Sequence, residues 1–147
     1  MLTIRDIATT DEPTWRRLWA DYLACYRTTV PDTITNATWG KLFDPASAVF
    51  GRAATRDGQM IGFALARVHE GTWTASTSCY LEDLFVDPVA RGSGVGRALI
   101  QDLVEMGRAH GWSRLEWHTA EGNAVARGLY DTFVLADDHV RYRMTLD

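Results

Sequence analysis

The sequence predicts an α/β three-layer sandwich, and three observations lead to that prediction. Segments with strand periodicity and segments with helical periodicity follow one another along the chain. The pair Asp57-Gly58 separates two apolar runs, as in a β-hairpin. A Gly-rich loop after an apolar strand opens an amphipathic helix. We expect one domain over residues 1–147, because 147 residues are enough to bury a sizeable core.

The first helix is indicated by Pro13, which stands early in it, where the missing N–H costs least. Apolar side chains then recur at steps of three and one, which favours core packing or a dimer contact over a binding surface: Trp15, Leu18, Trp19, Tyr22, Leu23 and Tyr26. Further helices are expected near residues 36–43, 96–110 and 123–133. Gly111 is a suitable residue to end the third helix.

The strands are predicted from apolar alternation and from turn residues. Leu2, Ile4 and, less regularly, Ile7 indicate the first strand. Later strands are expected near residues 48–55, 60–69, 78–86 and 114–118. A last strand is expected from the alternation of Val140, Tyr142, Met144 and Leu146.

The bulk composition bounds the function. A net charge of −4 disfavours nucleic acid as the main partner and suits a cationic substrate. Cys25 and Cys79 are too few for a disulfide framework, which fits a reducing cytosol. No apolar run approaches the roughly 20 residues that span a bilayer. We therefore expect a cytoplasmic protein that acts on a small-molecule amine and binds neither nucleic acid nor membrane.

The loop that follows the strand 78–86 has the composition of an anion site. Gly92, Gly94 and Gly96 leave the backbone bare, so that its N–H groups can converge on an anion at the positive end of a helix. Arg91 and Arg97 bracket the loop. A dinucleotide fingerprint is excluded, because its third glycine would have to stand where Arg97 is. A Walker loop is excluded because the loop has no lysine.

The pattern Arg91-x-x-Gly94-x-Gly96 resembles the acyl-CoA pyrophosphate loop of the GNAT superfamily of N-acetyltransferases. Tyr80-Leu-Glu-Asp-Leu-Phe-Val, Glu121-x-Asn123 and Leu129-Tyr130 resemble its spermidine/spermine and histone/polyamine branch. The resemblance implies a mixed, mostly antiparallel sheet flanked by helices, acetyl-CoA as co-substrate, and a homodimer. It also implies contacts with the cofactor from Leu84, Phe85, Val86, Arg91, Gly92, Ser93, Gly94, Val95, Gly96, Arg97 and Asn123.

Acetyl transfer to an amine needs a group that removes a proton from the ammonium, whose pKa is about 10.4. We predict Glu82 as this base. In a regular strand Asp83 would point to the opposite face, whereas a bulge would make it a candidate substrate ligand. The resemblance assigns the acid that protonates the thiolate to Tyr130, whose pKa near 10 keeps its proton at pH 7.

Aromatic and acidic residues are expected to form a mouth for an alkylammonium, by cation–π contacts: Tyr22, Tyr26, Trp39, His69, Trp73 and Glu121. The histidines show no metal-binding pattern, so no metal is expected. Family members commonly carry Gly-Phe a few residues after the tyrosine, and this chain lacks that glycine, which leaves the acceptor pocket undefined. An acyl-CoA-binding sensor without catalysis is the alternative function, and the presence of both Glu82 and Tyr130 argues against it.

Overall fold

The computed structural model describes residues 1–146. The strands are β1 Leu2–Asp6, β2 Val49–Arg56, β3 Gln59–His69, β4 Ser78–Val86 and β5 Leu115–Glu116. The helices are α1 Glu12–Cys25, α2 Asp32–Lys41, α3 Val95–His110 and α4 Ala124–Tyr130. The chain divides into two compact units: the first, Met1–Trp117, holds the whole sheet, and the second begins at His118 and holds α4.

The sheet has the order β1-β2-β3-β4-β5. The first four strands are antiparallel neighbours, and β5 runs parallel to β4. This confirms the expected mixed, mostly antiparallel sheet. No helix within residues 1–146 is long and apolar enough to cross a membrane.

The two faces of the sheet carry side chains of different size. On one face Phe63 and Leu65 of β3 and Phe85 of β4 pack with aromatic residues of α1 in the main core cluster. The other face of β3 carries Gly62, Ala64 and Ala66, and α3 packs there. A Cβ on Gly62 would lie 3.2 Å from Val95 of α3 and 2.9 Å from the Phe85 carbonyl oxygen, so the glycine permits this close packing.

Two predictions made from short sequence signals are confirmed: the hairpin turn between β2 and β3, and the end of α3 at a glycine. Asp57 and Gly58 both have positive φ angles, 52° and 76°, as a two-residue hairpin turn requires. Gly111 ends α3 in the left-handed conformation at φ 73°, where a glycine carries no Cβ penalty. These elements were predictable because their signals lie within a few residues of one another.

The predicted last strand is not observed. Residues 140–146 form neither strand nor helix, and Val140, Tyr142, Met144 and Leu146 are exposed. Alternation makes a segment suitable for pairing, but a strand also needs a neighbour, and none pairs with these residues within the part of the chain described. For the same reason β5 is shorter than expected, since only Leu115 and Glu116 are paired.

The aromatic stripe of α1 belongs to the core. Trp15, Leu18 and Trp19 are buried, and the Trp15 and Trp19 rings stack with their centroids 5.3 Å apart. The prediction that this stripe could serve as a dimer surface is therefore wrong for these three residues. Of the residues in this stripe, only Tyr26, which caps the end of α1, is exposed.

We expect Trp15→Ala to lower the free energy of unfolding by about 3–5 kcal/mol, because it leaves a cavity where a fully buried indole was. Trp73→Ala removes the same group from an exposed loop position and should change that free energy by no more than about 0.5 kcal/mol. Urea denaturation followed by circular dichroism measures both. Equal losses in the two variants would contradict the assignment of Trp15 to the core.

Candidate active site

A β-bulge in β4 shapes the site. Leu65 of β3 pairs with Asp83, and its neighbour Ala66 pairs with Leu81, so Glu82 is the extra residue with no partner in the register. Such a residue bends the strand and changes which face its neighbours occupy. The bulged residue lies two positions beyond Tyr80, the last residue of β4 that pairs with β5.

The bulge directs both carboxylates to the face covered by α1. Asp83 bonds to Tyr22 of α1. Glu82 bonds to Arg67, which lies two residues from Leu65 and so on the same face of β3. Of the two expectations for this strand, the bulged one is observed, so Glu82 and Asp83 do not point to opposite faces. The inserted residue breaks the two-residue alternation of a regular strand.

Asp83 is half-buried, and its Oδ1 accepts a hydrogen bond of 2.7 Å from the Tyr22 hydroxyl. Burial raises the pKa of Asp83 to about 6, the bond from Tyr22 opposes the rise, and the charge of Glu82 adds to it. Because this pKa exceeds the ordinary 3.8, the folded chain binds the proton more tightly than the unfolded chain. The contribution of Asp83 to stability therefore falls as the pH rises from about 4 to about 6.

Glu82 is in a different environment. Its side chain is exposed, and Oε1 accepts a hydrogen bond of 2.7 Å from Arg67 Nε. The Arg67 guanidinium also lies over the Tyr80 ring, 5.0 Å from its centroid. An exposed ion pair of this kind contributes only about 0–1 kcal/mol, so Glu82 can exchange partners readily.

The Gly-rich loop has the geometry of an anion site. Gly92 and Gly94 are left-handed, with φ angles of 79° and 83°, and a Cβ on either would meet no atom within 4 Å. Gly94 is the N-cap of α3 and has no side chain, so no side chain of that residue caps the first N–H groups of the helix. Ser93 fastens the loop by donating to the Ala90 carbonyl oxygen.

Two arginines approach this region, and sequence reasoning missed one of them. Arg56, at the end of β2, donates to Ser93 Oγ over 3.3 Å and brings a positive charge to the loop. Arg91 instead folds back, donating to the Val86 carbonyl oxygen and lying over the Phe85 ring. The contact of Arg56 depends on strand pairing across the sheet, so no short sequence pattern marks it.

The edge of β4 beyond Tyr80 is open. Within residues 1–146 no strand pairs with that edge along residues 81–86, so its backbone groups there have no strand partner. The predicted cofactor residues Leu84, Phe85 and Val86 lie on this stretch. Phe85 itself is buried, and its ring packs near Tyr22 and Phe63.

The second unit holds the remaining predicted residues. Asn123 caps α4, because its Oδ1 accepts from the Ala126 N–H and its amide donates to Thr119. Tyr130 is the last residue of α4 and is half-buried. Glu121 has an exposed side chain, and its carbonyl oxygen accepts from Arg127.

The residues predicted for the substrate mouth are not equally available. Tyr26 is exposed and meets Tyr22 edge to face at 5.2 Å, beside the Asp83 bond. Trp39 is packed against Trp15 and Phe43. His69 lies four residues along β3 from Leu65, a distance of about 13 Å on a strand. Trp73, on the loop after β3, is exposed.

Comparison with known proteins decides the family. Residues 13–133 match the acetyltransferase (GNAT) family over most of the chain. This chain belongs to the GNAT family. It is therefore an enzyme that transfers an acyl group, and the resemblance drawn from the loop and from β4 is confirmed at the level of the family.

Relatives and solved structures agree with this assignment. The D-amino-acid N-acetyltransferase HPA3 of Saccharomyces cerevisiae is 31% identical over 144 residues, which are 97% of this chain and 89% of that protein. A thialysine N-epsilon-acetyltransferase of Caenorhabditis elegans is 35% identical over 58% of this chain, which matches about half (52%) of that protein. Aminoglycoside acetyltransferase AAC(6')-Iy, in complex with a bisubstrate analogue, shares the fold with a TM-score of 0.82 at 24% identity, over 99% of each chain.

The two cysteines differ in exposure. Cys79 is fully buried in β4, and burial raises the pKa of its thiol to about 12, although the charge of Arg67 opposes the rise. Cys25 is exposed at the end of α1. A thiol attacks as its thiolate, which Cys79 does not form at neutral pH.

We expect iodoacetamide at pH 8 to alkylate Cys25 and to leave Cys79 unmodified until the chain is unfolded in guanidinium. Intact-mass and peptide mass spectrometry count and locate the modifications. The variant Cys25→Ser serves as the control and should gain no label in the folded state. Rapid labelling of Cys79 in that variant would show that its thiol is accessible.

Proposed function

We propose that this enzyme transfers an acetyl group from acetyl-CoA to a primary amine by direct attack in a ternary complex. The observation that carries the proposal is the bulge in β4, which presents two carboxylates beside an open strand edge, in the strand that precedes the Gly-rich loop. An ammonium is attracted by the carboxylates, and an anionic donor is attracted by the loop. GNAT membership supplies the reaction class.

The proposed binding of acetyl-CoA is supported by how the Gly-rich loop and the edge of β4 suit the chemical groups of that molecule. The left-handed glycines and the uncapped start of α3 suit a pyrophosphate, and Arg56 and Arg97 supply positive charge at or next to the loop. The unpaired edge of β4 along Leu84–Val86 suits the amides of a pantetheine arm, which can bond to it as a strand would. Acetyl-CoA, when bound, supplies the activated acetyl thioester. We also assign Asn123 to this side, by resemblance.

On the acceptor side we propose that the amine meets the pair Glu82 and Asp83, of which the family resemblance assigns Glu82 as the base. Tyr130 would donate the proton that the departing thiolate needs. Acetylation of Cys79 as an intermediate is disfavoured, because its thiol is buried and protonated. Direct attack by the amine is the route we propose.

We infer that the acceptor is a polyamine, a lysine-like amino acid or a protein lysine. The relatives named above act on amino acids, by their names a D-amino acid and thialysine. Tyr26 and Trp73 offer exposed aromatic rings for an alkylammonium. We also propose, from the resemblance, that this single-domain protein forms a homodimer. A location in the cytoplasm is supported by the free state of Cys25 and Cys79.

We expect Gly94→Ala to weaken acetyl-CoA binding about tenfold, because alanine is strained at a φ of 83° and its methyl group would project into the space in front of the loop. Isothermal titration calorimetry measures the change. Gly40→Ala, in α2, adds the same methyl group in open space and should leave the affinity unaltered. Equal affinities in both variants would remove the loop from the donor site.

The reaction itself is tested by thiol release from acetyl-CoA with a panel of amines: spermidine, lysine, thialysine, D-amino acids and a lysine-containing peptide. We expect release with at least one of them, together with a product heavier by one acetyl group in mass spectrometry. Tight binding of acetyl-CoA without release from any amine would defeat the proposed reaction and favour an acyl-CoA sensor.

A further inference from the structure

We propose that the guanidinium of Arg67 binds a carboxylate of the acceptor, so that the acceptor is an α-amino acid acetylated on its α-amine. The inference rests on the proposed function and narrows the acceptor to one class. The observation behind it is the exposed ion pair at the bulge, in which Arg67 Nε and Glu82 Oε1 lie 2.7 Å apart.

This ion pair presents a positive and a negative group side by side. The side chains of Arg67 and Glu82 are 43% and 40% exposed, so a small solute can reach both. In an α-amino acid the ammonium and the carboxylate are separated by a single carbon atom, so its two charges are also adjacent. Such a zwitterion can place its ammonium at Glu82, as in the proposed function, and its carboxylate at Arg67.

The Arg67 guanidinium has donors that the protein does not use. Its Nε donates to Glu82, and within residues 1–146 its two Nη groups donate to no protein atom. The Nη groups form the planar end of the guanidinium fork, which matches the two oxygens of a carboxylate. The guanidinium also lies over the Tyr80 ring, 5.0 Å from its centroid, and this contact restricts the plane of the fork.

Another arginine of the sheet shows how a structural ion pair differs. Arg52 of β2 bonds to Asp102 through Nε and Nη2 and to Asp6 through Nη1, so all three of its nitrogens are used. Its side chain is 15% exposed, whereas that of Arg67 is 43% exposed. The fork of Arg67 is therefore available to a ligand, and that of Arg52 is not.

The same guanidinium disfavours an acceptor that carries only positive charges. A polyamine bound through one ammonium at Glu82 would bring that charge next to Arg67, and like charges at short range repel each other. An α-amino acid offsets this repulsion with its carboxylate. The ion pair therefore selects the acceptor by the group that adjoins the amine.

The carboxylate of the acceptor takes no part in bond making. The ammonium first loses a proton through the base to solvent, and the nitrogen lone pair then forms the bond to the thioester carbonyl carbon. The C–S bond breaks with its electron pair leaving on sulfur, and the thiolate takes up a proton. The product keeps its carboxylate but has no positive charge, so Glu82 repels it and the ion pair with Arg67 can form again.

The first test compares acceptors that differ only beside the amine. Thiol release is measured with the best substrate from a panel of D- and L-amino acids, with its amide and with its decarboxylated amine. We expect kcat/KM to be about 10–100-fold lower for the amide and the amine, because charge-assisted hydrogen bonds are lost. Equal values for the three compounds would overturn the inference and leave the proposed reaction intact, whereas release from no amine at all would refute the proposed function.

The second test changes the arginine. Arg67→Gln should lower kcat/KM for the amino acid about 10–100-fold and should not lower it for the decarboxylated amine. Arg67→Lys keeps the charge without the fork and should restore part of the preference. Arg114→Gln breaks another exposed ion pair, with Glu116, whose side chains are 49% and 48% exposed, and should leave the preference unchanged. Equal losses for both acceptors in R67Q would show a structural role and overturn the inference.

Lysine provides an internal comparison, because only one of its two amines adjoins the carboxylate. We expect tandem mass spectrometry of acetylated lysine to locate the acetyl group on the α-nitrogen. Acetylation on the ε-nitrogen would contradict the proposed adjacency of the two charges.

Binding of the acceptor is measured without turnover by calorimetry, with the amino acid titrated into enzyme saturated with coenzyme A. We expect the affinity to be at least about tenfold weaker in R67Q and unaltered in R114Q. Equal affinities in R67Q and the unaltered enzyme would overturn the inference, even for an enzyme that turns over no acceptor.

Discussion

One inserted residue organises the candidate site of this enzyme. Because Glu82 has no partner in the β3–β4 register, the faces of β4 before and after it are out of phase. Leu81 is consequently buried beside Ala66, whereas Asp83 and Phe85 lie on the face of α1. The pairing with β5 ends at Tyr80, just before this point. The open edge of β4 and the pair of carboxylates thus occur together on one strand.

The aromatic core holds the bulged strand against α1. Trp15 and Trp19 stack on each other, Tyr22 meets both Phe63 and Phe85 edge to face, and the Tyr22 hydroxyl reaches Asp83. Among residues 1–146 the buried Trp15 indole N–H finds no hydrogen-bond partner, a cost that packing of the surrounding rings must offset. Apolar packing on one side of Tyr22 and a carboxylate on the other fix where its hydroxyl points.

The sequence was informative where signals are local and weak where they depend on pairing. The turn at Asp57-Gly58, the strand Ser78–Val86 and the start and end of α3 follow from residues close together in the chain. The bulge depends on the register between β3 and β4, which neither strand specifies alone. The hydrogen bond from Arg56 to Ser93 forms only because strand pairing brings the end of β2 close to the loop. Residues 140–146 show the opposite case, in which clear alternation is present and no strand forms.

The ring contacts of α1 also make the site optically accessible. Trp19 lies 5.5 Å from Tyr22, which in turn bonds to Asp83, so an indole chromophore sits one ring away from the titrating carboxyl group. Charge placed near an indole shifts its emission, and Trp19 is rigidly held by Trp15. A change in the charge of Asp83 is therefore expected to register in the intrinsic fluorescence of the unlabelled protein. The aromatic core thereby supplies a reporter of the charge on Asp83.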